Sequence, residues 1–213
     1  MIRVRKSAEP PKELAEKGYK DDEVKRAILS DQDEKCYICE RKVTTDYEVE
    51  HLASQSKNDS QVNEWTNLFI ACNYCNDKKK TSFDNIAHPD QYNVEDVITH
   101  DFDALHDQVL FQTASTDEGI VQTVKMLERM YNGTHAPRRN LMESRFYNFF
   151  KLDFNHFQSV VNDYLSGKKD EMRPIIEELL GITSEYLTFK YAVIQENPQL
   201  RHDFGHLMKW NKR

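Results

Sequence analysis

Cys36-Tyr37-Ile38-Cys39 and Cys72-Asn73-Tyr74-Cys75, with Tyr47-Glu48-Val49-Glu50-His51-Leu52 between them, decide how this chain folds. The two pairs hold all 4 cysteines of a 213-residue sequence. A two-residue spacer lets a tight turn aim both thiolates at one tetrahedral centre, and two such turns complete a four-sulfur zinc site. A pair of disulfides needs an oxidising compartment, and nothing in the sequence directs export. A redox dithiol fits poorly, because neither pair sits in a thioredoxin-like pattern. Structural Zn²⁺ at Cys36, Cys39, Cys72 and Cys75 is therefore expected, with no open coordination position for catalysis.

Reactive side chains are to be sought between the pairs. Tyr47, Val49 and His51 alternate with Glu48, Glu50 and Leu52, as in a short strand. Adjacent strand residues point to opposite faces, so Glu50 and His51 can serve one site only at the strand's end. A polar loop over residues 53–63 lacks regular periodicity. Asn67 opens the apolar run Leu68-Phe69-Ile70-Ala71-Cys72, and Asn76-Asp77-Lys78-Lys79-Lys80 follows the second pair directly.

Taken together, these pieces resemble the HNH endonuclease family with its ββα-metal fold. The two CxxC knuckles, Glu50-His51, Asn67-Leu68 and Cys75-Asn76-x-x-Lys79 stand in the family's order across residues 30–82. The resemblance implies that His51 is the general base that activates water against a phosphodiester. It further implies that Glu50 and Asn76 bind a divalent cation and that Asn67 is a catalytic-site residue orienting the His or the metal. Two positions depart from the common pattern: Glu50 stands for the usual Asp, and Asn76 for a His, which makes a weaker ligand.

Elementary chemistry points the same way. Phosphodiester hydrolysis needs a base of near-neutral pKa and a hard cation against the charge developing on phosphate. A carboxylate and a carboxamide suit Mg²⁺ or Mn²⁺. Lys78, Lys79 and Lys80 would hold backbone phosphates beside the site, or else form a solvated helix turn. Asn67 and Asn76 could equally cap the segments that follow them.

The expected fold class is α+β, a zinc-knuckle ββα-metal core followed by a mainly α-helical C-terminal region. The expected divisions are an N-terminal arm and helix (1–30), the nuclease core (31–83), a mixed connecting segment (84–115) and a helical C-terminal domain (116–213). In the arm, Pro10-Pro11 forces extended backbone, and Asp21 or Asp22 caps a short helix with Val24, Ala27 and Ile28 on its apolar face. Residues 108–112 read as a strand. Ile120, Val124, Leu127 and Tyr131 mark a helix that Gly133 ends. Pro137 suits the first turn of a long helix reaching Gly167, with Met142, Phe146, Phe149, Phe150, Phe157, Val160, Val161 and Tyr164 as its apolar face. Helices over 170–180 and 184–196 follow, broken by Gly181 and Asn197-Pro198. The aromatic stripe reads as core, with a partner-docking surface as the sharper alternative.

Across its whole length the sequence resembles the PtuB-like HNH proteins of Septu and certain retron antiviral systems, through Met1-Ile2-Arg3-Val4, Pro10-Pro11, the internal nuclease and the helical tail. This implies an effector working beside a PtuA-like ATPase of the ABC/SMC type, and in the retron versions a reverse transcriptase with its DNA–RNA product. It also implies a bacterial cytoplasm and a helical region that docks on the ATPase. The other reading is a non-catalytic zinc-knuckle interaction or nucleic-acid-binding module. The Glu50-His51-Asn67 set argues against it, because a scaffold has no use for that set.

Composition bounds these readings. The 10 Tyr, 11 Phe and 2 Trp argue against disorder. No apolar run is long enough for a transmembrane helix, and no membrane partner is expected. With 29 Lys+Arg against 36 Asp+Glu, the net charge is −7, which excludes a protein that coats nucleic acid by bulk charge. Neither half of the chain is basic. A metal site and a local basic strip can still engage a phosphodiester, so the acidic balance implies weak unaided binding rather than none.

Overall fold

The computed structural model describes residues 1, 3–54, 61–136 and 138–208. Ile2, Pro137 and most of the polar loop, residues 55–60, lie outside them. The arm runs extended across the surface of the core. Val4 N–H donates to the Pro89 carbonyl at 2.7 Å, and Ser7 Oγ donates to Asp31 at 2.6 Å. Helix α1 (Glu13–Lys17) turns at Gly18, whose φ of +83° a side chain would resist, into α2 (Asp22–Asp31). Asp21 caps α2 by accepting from Glu23 N–H at 3.0 Å, and Val24 and Ile28 are its buried face, as the sequence implied.

Strands β1 (Tyr47–His51) and β2 (Leu68–Cys72) form an antiparallel hairpin, with Glu50 opposite Phe69 and His51 opposite Leu68. Every residue of β2 is buried, so Leu68, Phe69 and Ile70 contribute about 1.5–3 kcal/mol each by leaving water. Gln32, just past α2, extends this sheet with its side chain. It donates to the Ile70 carbonyl at 2.9 Å and accepts from Ile70 N–H at 2.8 Å. Helix α3 (Asn73–Lys79) starts inside the second knuckle, completing ββα.

A short α4 (Val94–Val97) leads to a second antiparallel hairpin, β3 (Thr99–Asp103) and β4 (Gln108–Gln112). Its second strand was legible in the sequence; α4 and β3 were not. Four longer helices follow, α5 (Glu118–Asn132), α6 (Leu141–Leu165), α7 (Lys169–Leu179) and α8 (Leu187–Glu196), then a seven-residue α9 (Pro198–Phe204). The architecture is thus α+β with a mostly helical C-terminal region.

The long helix begins at Leu141 rather than near Pro137. Asn140 accepts from Glu143 N–H at 3.0 Å while Glu143 accepts from Asn140 N–H at 2.8 Å. This reciprocal box satisfies two N–H groups that a helix start otherwise leaves unpaired.

Helix α6 joins two cores. Phe146, Phe150 and Phe154 belong to the cluster that also contains the arm, both knuckles, β2 and α5, whereas Phe157, Val160, Val161 and Tyr164 pack with α7, α8 and α9. The anticipated apolar face splits accordingly. Six of its eight residues are buried, but Met142 and Phe149 are 57% and 59% exposed, with Leu141 and Leu152 beside them in solvent. Among the described residues no helix is long and apolar enough to cross a membrane.

Candidate active site and metal centre

The four cysteines converge. Their sulfurs lie within 4.8 Å of one another, all buried, and Cys39 Sγ is 3.9 Å from Cys72 Sγ. A tetrahedron with Zn–S of about 2.3 Å has edges of about 3.8 Å, whereas a disulfide requires about 2.05 Å. The donor set therefore fits Zn²⁺ and no disulfide forms. Hydrogen bonds from the three neighbouring thiols pull the Cys72 thiol far below its usual range, while burial pushes Cys39 and Cys75 up. Zinc with four thiolates would carry −2 in a buried place. Arg41 supplies nearby compensation: burial disfavours its charge, but the Cys72 and Cys39 sulfurs and the paired Asp46 more than restore it.

The knuckles are tied into the helical region. Tyr74 stacks on Phe146 with centroids 4.3 Å apart and donates its hydroxyl to the Met130 carbonyl at 2.7 Å. Tyr131 Oη donates to the Cys39 carbonyl at 3.1 Å. Buried Glu40 accepts from Thr188 N–H at 2.9 Å and pairs with the α-amino group of Met1 at 2.8 Å.

His51 ends β1 and is buried, with 6% of its surface exposed. Its Nε2–H donates to the Val62 carbonyl at 2.9 Å, since a carbonyl can only accept. In the neutral ring this tautomer makes Nδ1 the nitrogen that takes up a proton. Burial lowers the His51 pKa, with the Val62 carbonyl opposing and Lys79 reinforcing that shift. Asn67, 7% exposed, clamps the base of the intervening loop. Its Oδ1 accepts from Ala53 N–H at 2.8 Å, and its Nδ2 donates to the Ala53 and Gln61 carbonyls at 3.1 and 3.3 Å. It thus secures the turn that presents Val62 to His51.

Glu50 and the lysines depart from expectation. Glu50 faces inward: Oε2 accepts from Tyr37 Oη at 2.7 Å, and Oε1 accepts from Lys79 Nζ at 2.7 Å. Lys79 is wholly buried and also donates to the His51 and Leu52 carbonyls at 3.2 and 2.9 Å. It therefore has no surface to offer a phosphate. Lys78 is likewise turned inward, pairing with buried Glu143 and donating to Thr134 Oγ1 at 3.2 Å. Only Lys80 is exposed, 3.1 Å from Asp77. The basic strip is mainly a docking device.

The expected dication site does not fit this arrangement. An ammonium already lies 2.7 Å from the Glu50 oxygen that would bind the cation, and burial raises the Glu50 pKa despite Lys79. Asn76 is half-exposed, three residues before Lys79 on the same face of α3. One neutral carboxamide is too weak a ligand to hold Mg²⁺ or Mn²⁺ alone.

Four neighbours of the site were not foreseen. Tyr37, inside the first knuckle, reads as spacer. Val62 acts through its backbone, which no side-chain pattern reveals. Asp84 accepts from Ser54 Oγ at 2.7 Å and lies 4.0 Å from Lys79 Nζ. Tyr19 packs edge-to-face on His51, with centroids 4.8 Å apart and planes at 84°. Only Tyr37 falls within the knuckle motif, and none of the four carries a spacing signal.

No curated protein and no solved structure matches the chain. Residues 36–82, from the first zinc-knuckle cysteine to just past α3, match the family model of the HNH endonucleases.

Proposed function

We propose that the protein is a nuclease hydrolysing nucleic-acid phosphodiesters, with His51 as general base. The observation that carries this reading is the presentation of His51, held at the end of a knuckle-pinned hairpin with its tautomer set by Val62. A water activated by the imidazole would lose its proton as it attacks phosphorus, a transfer that contributes about 10²–10⁴-fold in positioned bases. Asn67 and Lys79 keep the strand ends in place while that proton moves. Zn²⁺ on the four cysteines supplies folding energy, about 10–16 kcal/mol in small zinc domains. No step is routed through a second metal at Glu50, whose carboxylate is committed to Lys79 and Tyr37.

Hydrolysis by water is tested by cutting labelled DNA and RNA in ¹⁸O-water, with and without Mg²⁺ or Mn²⁺. One ¹⁸O on the product phosphate supports the reading, and label-free ends or a cyclic phosphate overturn it.

The wider reading, an effector in an antiviral complex with an ABC/SMC-type ATPase, rests on the whole-chain resemblance. Two features support a dependence on a partner. Lys78 and Lys79 are spent internally in a chain of net charge −7, leaving little electrostatic grip on a polyanion. The solvent-facing Met142, Phe149 and Leu152 on α6 offer an apolar stripe of the kind that anchors interfaces.

A further inference from the structure

The nuclease reading places the base on β1, and among the described residues of 36–82 Val62, Asn67 and Lys79 help to hold it. Its aromatic neighbour comes from elsewhere. Tyr19 lies in the turn between α1 and α2, seventeen positions before the first knuckle. We infer that Tyr19 is a positioning residue for His51, and that the N-terminal arm completes the active site of the nuclease core.

Three observations carry this. The first is the ring contact itself: at 4.8 Å and 84° the two rings meet in the edge-to-face geometry that aromatic quadrupoles favour. A ring so placed blocks rotation of the imidazole about χ2, a torsion with broad, shallow preferences of its own. The second is that Tyr19 grips the same loop that grips His51. Tyr19 N–H donates to Asn63 Oδ1 at 3.1 Å, and Asn63 follows Val62, whose carbonyl fixes Nε2. Ring and backbone of one residue therefore brace the imidazole and its hydrogen-bond partner together. The third is that the turn is built for this approach. Gly18 takes φ +83°, and a Cβ there would meet Asn63 Oδ1 at 3.4 Å, so the chain passes close against Asn63. Gly18 N–H donates to the Leu14 carbonyl at 3.1 Å and its carbonyl accepts from Asp21 N–H at 3.2 Å, which fixes the turn to both helices.

The chemistry required of Tyr19 is that of a shaped hydrocarbon edge. The contact between the two residues is ring to ring, so a phenyl edge in the same place should hold the imidazole. Loss of the ring lets the imidazole sample other χ2 values and the Val62 hydrogen bond loosen. Misplacing a reacting group by about 1 Å costs on the order of 100-fold in rate.

The inference rests on the nuclease reading for its kinetic consequence, but its structural content is separately measurable. Full-length, zinc-loaded wild type, Tyr19→Phe, Tyr19→Leu and Tyr19→Ala are compared by long-range ¹H–¹⁵N correlation of the His51 ring and by single-turnover cleavage. Wild type and Tyr19→Phe should show one tautomer, protonated at Nε2. Tyr19→Ala should show mixed tautomers or exchange broadening and cleave about 10–100-fold more slowly, with substrate affinity within about twofold. Tyr19→Leu, which keeps bulk, guards against a folding defect in the alanine variant and should fall between the two. A His51 spectrum and a cleavage rate both unchanged in Tyr19→Ala would overturn the inference. So would Tyr19→Phe behaving like Tyr19→Ala. If the His51 spectrum responds as expected but even wild type fails to cut, the brace stands and the nuclease reading falls.

Discussion

Replacing Lys79 by Ala should destabilise the protein severely, although a lysine that directly follows Asp77-Lys78 in a polar run looks like surface. Its ammonium has three protein acceptors and no exposure. Removing one partner of a buried ion pair costs about 3–5 kcal/mol, because the other charge is left unpaired. The carbonyls of His51 and Leu52 lose a donor as well, at about 1–3 kcal/mol for each acceptor left unsatisfied. Proton uptake by Glu50 and entering water relieve part of this, so the ion-pair figure is the working estimate. At this chain length 1 kcal/mol moves Tm by about 2–4 °C, giving an expected fall of about 6–20 °C. Lys80→Ala is the control, since an exposed i,i+3 pair with Asp77 contributes at most about 0.5 kcal/mol. The assay is thermal unfolding of both zinc-loaded variants beside wild type. A pH series adds a second signature. Glu50 in the variant keeps a raised pKa without its cation, so ionising it costs stability as pH rises, and the gap to wild type should narrow on acidification. If Lys79→Ala melts with Lys80→Ala, the buried-cation reasoning is wrong.

Cys36→Ala should lose zinc and unfold the knuckle-bearing region, residues 36–82, read by metal content and near-UV circular dichroism; a stable metal-free variant would count against a structural zinc site. Acid should destabilise the fold in two overlapping windows. Burial alone would raise Glu40, but the Met1 α-amino group, Lys35 and Thr188 hold it at about 2 instead of 4.5, so its contribution, about 3 kcal/mol, is complete above about pH 4.5 and lost as pH falls towards 2. Burial holds His100 at about 3 instead of 6.5, so unfolding takes up a proton between those values. Urea midpoints at pH 7 and pH 3 should differ less for Glu40→Gln than for wild type. The isolated chain should bind DNA and RNA weakly at physiological salt, and a nanomolar dissociation constant for the lone protein would contradict the charge argument.

The zinc knuckles, the hairpin and the helical tail were legible because each has a period or spacing that survives in one dimension. The lysine strip was not. Successive helix residues turn by about 100°, so Lys78 and Lys79, the last two residues of α3, point towards Glu143 and towards Glu50, while Lys80, just past the helix end, lies in solvent. Nothing in a run of identical residues says which direction is inward. Alternation in β1 separates the side chains of Glu50 and His51, but leaves open that Glu50 faces the interior, which depends on Tyr37 and Lys79 arriving there. The start of α6 does carry a signal in one dimension, since Asn140-Leu141-Met142-Glu143 has the capping-box spacing. Tyr19 is contributed from outside the motif altogether, where local patterns are silent.

The most direct measurement is single-turnover cleavage by His51→Ala against wild type, with zinc content and thermal unfolding taken on the same samples. The account predicts a rate lower by about 10²–10⁴-fold, with full zinc, cooperative unfolding and a melting temperature lowered only by what loss of the Val62 hydrogen bond costs, about 1–3 kcal/mol. Cleavage by the variant at the wild-type rate would contradict it.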